Sequence, residues 1–259
     1  MNLNELCTAD IVPVALVAGR VVADRAATCW RAPIDRGKIV IFRGAFQPRA
    51  MVALRRALQT WASQTPAMPR GVSASQAGLN FHRLDDGTQP TSLAHIFYQF
   101  GIVDGPADGD ASAGAPPKDL AAEVRAMRVA LLDWQNQLAG TAIDANAPEF
   151  RFKAMRHPRG GGHLVSHRHP YLPQKVAIFL NLSEPGVDYA SGCARFRNAA
   201  GWVDTHADFR CGDLLAWRYD LVHGITEVEP SAPLQWTGDD GLWIAAMEWI
   251  DSHPHSRTA

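Results

Sequence analysis

Three histidines fall within seven residues of one segment, Gly162-His163-Leu164-Val165-Ser166-His167-Arg168-His169-Pro170, at the end of a glycine run. In an extended backbone, side chains two residues apart share a face, so His167 and His169 point together while Arg168 points away. His163 lies two steps further back on the same parity. A neighbouring strand is expected to supply a third imidazole. His223 suits that place, at the end of the apolar stretch from Asp213 and just before Gly224. Neutral imidazole binds iron, copper, zinc or nickel, and three imidazoles on one side of an ion leave positions open for dioxygen, substrate or cosubstrate. Such a site is of the open, catalytic type rather than the closed, structural type. Taken singly, each histidine reads better as a turn cap or a buried hydrogen-bonding group. Their spacing and strand context together favour the metal-binding reading.

The elements that must position these residues are legible from periodicity. From Glu149 onward, short apolar segments alternate with turn residues: Phe150 to Met155, Lys175 to Leu182, Ala194 to Asn198, Asp213 to Arg218 and Leu242 to Ile250. This pattern predicts a jelly-roll barrel over 149–251. Ahead of it, Lys38 to Phe42 reads as a buried strand closed by Arg43-Gly44. From Pro48, the residues Met51, Leu54, Leu58 and Trp61 recur at helical spacing. A second helix carries Leu120, Val124, Met127, Leu131, Trp134 and Leu138 on one stripe, with a polar start at Lys118 to Glu123 and a stop at Gly140. The chain is therefore expected to form one domain over 1–259, in which a helical and mixed support region, 1–148, packs the barrel. Within that region 104–117 holds no large apolar side chain and is expected to be a flexible loop over the site.

Composition narrows the ligand. The chain is 47% hydrophobic with eight tryptophans, enough to bury a core. A formal net charge of −1, with no run of Lys or Arg longer than two, argues against nucleic-acid or acidic-membrane partners. Cys7, Cys29, Cys193 and Cys211 show no metal or redox spacing, the N-terminal stretch carries Glu5 where a signal peptide would be basic, and Arg20 and Asp24 interrupt the most apolar stretch. The expectation is a cytoplasmic protein with reduced thiols. No phosphate loop, dinucleotide fingerprint or Gly-x-Ser-x-Gly occurs. Asp213 is expected to shape a turn, Asp220 to orient an imidazole or to lie exposed in a turn, Cys193 and Cys211 to be core residues, and His82 and His95 to be structural.

The stretch from about Met155 to Pro230 resembles the 2-oxoglutarate and Fe(II)-dependent dioxygenases. His223 lies 54 residues after His169, and the strings Pro-Gln-Lys-Val-Ala-Ile-Phe-Leu-Asn-Leu-Ser, Gly-Asp-Leu-Leu and Val-His-Gly-Ile-Thr are similar to that family's second and distal-histidine strands. The resemblance implies a double-stranded β-helix, Fe(II), dioxygen, a small-molecule substrate and, as cosubstrate, 2-oxoglutarate. Two departures stand out. His169 replaces the family's carboxylate, giving three neutral ligands as in the thiol dioxygenases, which use no 2-oxoglutarate. No basic residue lies between His223 and His253, where the family places an arginine for the cosubstrate. Arg156, Lys175 and Arg218 are the first candidates to replace it, with Arg168, Arg195 and Arg197 behind them. The expectation is an oxygenase that hydroxylates a small molecule at His167, His169 and His223. The alternatives are an oxygenase independent of 2-oxoglutarate, a zinc hydrolase, and a barrel that binds a metal or small ligand without catalysis.

Overall fold

The β-rich second half of the sequence curls into a sheet whose two halves face one another. The structure is a computed structural model and describes residues 11–15, 26–64, 80–85, 94–100, 116–144, 147 and 150–249. Its strands are β1 (Ile11–Ala15), β2 (Ile39–Arg43), β3 (Asn80–Asp85), β4 (His95–Phe100), β5 (Phe150–His157), β6 (Gly162–His167), β7 (Val176–Asn181), β8 (Ala194–Asn198), β9 (Gly201–Asp204), β10 (Leu214–Arg218), β11 (Val222–Val228) and β12 (Leu242–Trp249). Its helices are α1 (Ala26–Asp35), α2 (Pro48–Ser63) and α3 (Lys118–Ala139). The strands run β1-β2-β10-β7-β12-β5-β4-β6-β11-β8-β9 across the sheet, with β3 paired to β4. This is the double-stranded β-helix, or jelly roll, that the strand pattern predicts, packed by helices.

Alternation along the strands divides the core in two. Inward positions, among them Ile41, Phe179, Phe196, Leu215, Trp217, Ile225 and Ile244, meet between the sheet halves. Outward positions of β2, β10, β7, β12 and β5 pack against the helices through Phe42, Leu54, Trp61, Leu131, Leu138 and Trp243. Strand β7 is buried at every residue because it lies mid-sheet beneath the helices, which is why its sequence is a continuous apolar run. Helix α2 begins with Pro48 and buries Met51, Leu54, Leu58 and Trp61 as expected. Helix α3 ends at Gly140, whose φ of 61° is the left-handed conformation that glycine adopts at little cost.

Several elements were not foreseen. Strands β1 and β3 and helix α1 lie in stretches without a clear period, and α1 contains Pro33. Strand β4, His-Ile-Phe-Tyr-Gln-Phe, joins the halves by pairing with β5 through Tyr98, Gln99 and Phe100 and with β6 through His95 and Ile96. It is buried on both faces, so it carries no alternation of polar and apolar residues to read. Cys193 and Cys211 are buried and free, as expected. Asp213 holds a turn, accepting bonds from the Gly44 and Arg210 amides and from Arg43. The side chains of His82 and Cys29, Cys7 and residues 104–115 of the expected loop lie outside the described residues. No described helix is long and apolar enough to cross a membrane.

Candidate metal centre

His223 is the second residue of β11, not the end of a strand as expected; the preceding strand, β10, stops at Arg218 and a turn intervenes. Its partner across the ladder is His167, the last residue of β6. The next pairing, Ile225 with Leu164, takes two steps on β11 but three on β6, so β6 carries a β-bulge. The bulge reverses the inside-outside alternation. Leu164 packs against the barrel interior, Val165 is 40% exposed, and His167 points inward. The parity argument that put His163 beside His167 therefore fails: one extra residue separates them in phase. His163 instead hydrogen-bonds through Nδ1 to the Gly161 carbonyl at 2.9 Å, away from the centre.

Gly224 makes the bulge possible. A Cβ at that position would lie 2.7 Å from the Leu164 carbonyl oxygen and 3.0 Å from the Ser166 backbone. The His-Gly pair thus supplies both a ligand and the space into which the opposing bulge fits.

His169 lies beyond the end of β6, where no ladder hydrogen bond fixes it. Its ring stacks on Tyr219, with centroids 4.5 Å apart and an interplanar angle of 8°. Tyr219 is itself placed by its amide, which donates to the Lys175 carbonyl at 2.9 Å.

These constraints bring His167, His169 and His223 together, with one potential ligand atom from each all within 4.8 Å of one another. The Nε2 atoms of His167 and His169 are 3.1 Å apart. Two nitrogens each ~2.1 Å from one ion and at right angles around it would be ~3 Å apart. Nδ1 of His167 contacts the Val165 carbonyl at 3.0 Å and Nδ1 of His223 the Leu221 carbonyl at 2.9 Å. A ring nitrogen that meets a carbonyl must carry the proton, which leaves Nε2 as the lone-pair donor. All three rings are buried, and Phe179, Phe196 and Trp217 surround His223 at centroid distances of 6.3, 6.2 and 5.1 Å. Burial, and then the neighbouring His167 and His169, push the His223 pKa well below its usual value; Glu248 opposes this. The imidazole is thus held in its neutral, ligating form. The donor set fits a divalent first-row cation.

The structure does not bring the predicted arginines to this centre. Arg156 lies on the helix-facing side of β5 and donates to Gln59 Oε1 at 3.2 Å and to the Gly238 and Gln235 carbonyls. Burial lowers its pKa to about 10. Arg218 pairs with Asp220 at 2.6 Å and donates to the Asp35 carbonyl at 3.1 Å, so Asp220 serves an arginine rather than an imidazole. Lys175 is half-buried immediately before β7 and touches the site's framework through its carbonyl bond with Tyr219. Arg168 is exposed, and Arg195 and Arg197 lie over Trp202. His95 is buried beside Phe97, with ring centroids 4.9 Å apart, in keeping with a structural role.

Sequence reasoning missed two features of the barrel interior. Tyr219 was hidden in the turn between β10 and β11. Lys153 and Glu248 form an ion pair on the inward rows of β5 and β12. The period-2 alternation with Met155 and Ala246 was the available signal for that pair, but two charges inside a barrel contradict the usual pattern.

No family model matches the sequence, and no curated protein matches it either. Solved structures do. The Pseudomonas putida prolyl-4-hydroxylase superposes with a TM-score of 0.54 at 12% identity, over 86% of this chain and 98% of that one. The rice dioxygenase for auxin oxidation gives 0.53 at 15% identity, over 92% and 82%. The non-heme alpha ketoglutarate dependent epimerase SnoN from nogalamycin biosynthesis gives 0.52 at 11%, over 85% and 81%. The chain thus has the fold of these enzymes along nearly its whole length.

Proposed function

We propose that this chain is a non-haem iron oxygenase in which His167, His169 and His223 hold Fe(II), and that it oxidises, by hydroxylation, a small molecule bound beside them. The observation that carries the reading is the convergence of three buried imidazoles within a double-stranded β-helix. Bound there, iron would supply activation of dioxygen. The protein's own contribution is to orient the imidazoles through backbone carbonyls and the Tyr219 stack, and to exclude bulk water with Phe179, Phe196 and Trp217. The fold neighbours, named as a hydroxylase, a dioxygenase and an epimerase dependent on alpha ketoglutarate, support oxidative chemistry with that cosubstrate. Lys175 is then the first of the three predicted anchors to test, since Arg156 and Arg218 are engaged on the side of the helices.

That engagement favours a second reading, an oxygenase independent of 2-oxoglutarate in which the substrate itself ligates the iron and supplies the electrons. Oxygen uptake by the Fe(II)-loaded full chain, with and without 2-oxoglutarate, separates the two. Uptake that requires 2-oxoglutarate and yields succinate supports the first; uptake driven by substrate alone supports the second. No iron binding by the wild-type chain, or iron binding unchanged in His223→Ala, would overturn both.

A further inference from the structure

Trp217 stands on the inward face of β10, in line with Leu215 and, just past the end of the strand, Tyr219. Its ring centroid is 5.1 Å from that of His223, with the planes inclined at 58°, and Tyr219 stacks on His169. One row of side chains thus lies against two of the three histidines. Trp217 is 1% exposed, and its buried Nε1–H finds no acceptor among the described residues.

Its surroundings explain the missing partner. Phe179 and Phe196 pack on the indole at centroid distances of 4.5 and 5.0 Å, and its ladder partner on β7 is Ala177. None of these side chains accepts a hydrogen bond. His223 has no lone pair to offer either: its Nδ1 donates to the Leu221 carbonyl, and its Nε2 is the atom left for a cation. A buried donor without a partner costs about as much free energy as a lost hydrogen bond, and buried tryptophans usually satisfy theirs. Phenylalanine would line the same apolar wall without that cost.

An indole kept against a metal ligand has a use if its partner arrives with the molecule that enters the site. Three imidazoles on one side of an ion leave its other positions open and bring no negative charge. A carboxylate suits both conditions. One oxygen offsets the charge of the ion, and the other accepts from a neighbouring N–H in a charge-assisted hydrogen bond.

We propose that Trp217 is a ligand-binding residue of this centre, its Nε1–H donating to a carboxylate of the small molecule that occupies the open positions beside His167, His169 and His223. The inference rests on the reading of those histidines as a metal centre and narrows what binds there to carboxylates.

The test uses the full chain, labelled with nitrogen-15 and loaded with redox-inert Zn(II), and acetate as the probe. The Trp217 indole signal in proton–nitrogen spectra is identified by its loss in Trp217→Phe and by its broadening when Co(II) replaces Zn(II). It should move downfield as acetate saturates, and acetamide, of similar shape but uncharged, should leave it in place. Acetate titrations of the Co(II)-loaded chain, followed by visible absorption, should give a dissociation constant roughly 10-fold or more higher in Trp217→Phe than in the wild type. The variant keeps a flat ring beside His223, so its Co(II) content should match the wild type. A merely structural role would lower Tm in the variant and leave the acetate affinity of the loaded protein unchanged. An indole signal that acetate does not move, equal acetate affinity in the two proteins, or no acetate binding by the loaded wild type would overturn the role of Trp217 and leave the metal centre standing. Failure of the wild type to hold Zn(II) or Co(II) would overturn the metal centre and the donor role together. Should Trp217→Phe not fold, the wild-type indole signal, identified by Co(II) broadening alone, decides the question.

Discussion

Replacing Gly224 with alanine tests whether the β6 bulge, rather than the histidines alone, builds the centre. The added Cβ would lie 2.7 Å from the Leu164 carbonyl oxygen and 3.0 Å from the Ser166 amide nitrogen and Cα. These are backbone atoms and cannot swing aside as a side chain could, so β6 must retreat by roughly half an ångström or more to restore ordinary contact. Overpacking of this kind costs ~1–3 kcal/mol. For a chain of this size that corresponds to a fall in Tm of roughly 2–12 °C. His167 directly follows Ser166 and pairs with His223 across the same ladder, so the retreat pulls its Nε2 away from the shared centre. Loss of ligand orientation typically weakens metal binding about 10–100-fold. Differential scanning calorimetry of the metal-free protein and Co(II) titration followed by visible absorption measure the two effects separately. If Gly224→Ala binds Co(II) as tightly as the wild type with an unchanged spectrum, the bulge does not position His167 and the reasoning is wrong. If only Tm falls, the strand moves as described but the centre tolerates it, which refutes the coupling.

Other outcomes follow from the same geometry. Tyr219→Phe keeps the flat ring against His169 and should retain Co(II) affinity, whereas Tyr219→Ala frees the imidazole and should weaken it about 10–100-fold; equal affinity in both would remove the stack from the account. His169→Asp restores an anionic ligand and should tighten Fe(II) retention in competition with a chelator, while weaker retention would show that the site is shaped for a third imidazole. His157 is wholly buried, and burial, with lesser repulsion from His163 and His95, lowers its pKa from 6.5 to about 3. Because the folded pKa is the lower one, the unfolded state takes up the proton first as pH falls. The metal-free protein should therefore lose up to about 1.4 kcal/mol of stability per pH unit from this group below pH 6.5, the loss continuing towards pH 3. Urea midpoints at pH 7 and pH 5 measure this, and a pH slope unchanged in His157→Phe would contradict it.

Most of the barrel could be read from the sequence because its strands repeat a local signal, apolar runs cut by glycine and proline turns. The two long helices were legible for the same reason: Met51 to Trp61 and Leu120 to Leu138 keep a 3.6-residue period that needs no knowledge of partners. Strand β4 was not, since a segment buried between two layers has no polar face. The histidine cluster was recoverable from the spacing of His167 and His169, which holds because the two lie beyond the bulge. His163 was misplaced because a bulge is decided across the ladder, by Gly224 on another strand, and leaves no mark in the segment itself. The arginines failed for a related reason. Arg156 and Arg218 have suitable chemistry, but alternation along β5 and β10 turns them outward towards loop carbonyls and α1. The same alternation turns Lys153 inward, and only the pairing of β5 with β12 reveals that Glu248 meets it.

Iron-edge X-ray absorption of the full chain reconstituted anaerobically with one equivalent of Fe(II) tests the convergence of His167, His169 and His223 most directly. The imidazole multiple-scattering signal should fit three histidines, and should fall to two in each of His167→Ala, His169→Ala and His223→Ala. A wild-type signal that needs fewer than three imidazoles, or one unchanged by any of these substitutions, would contradict the account.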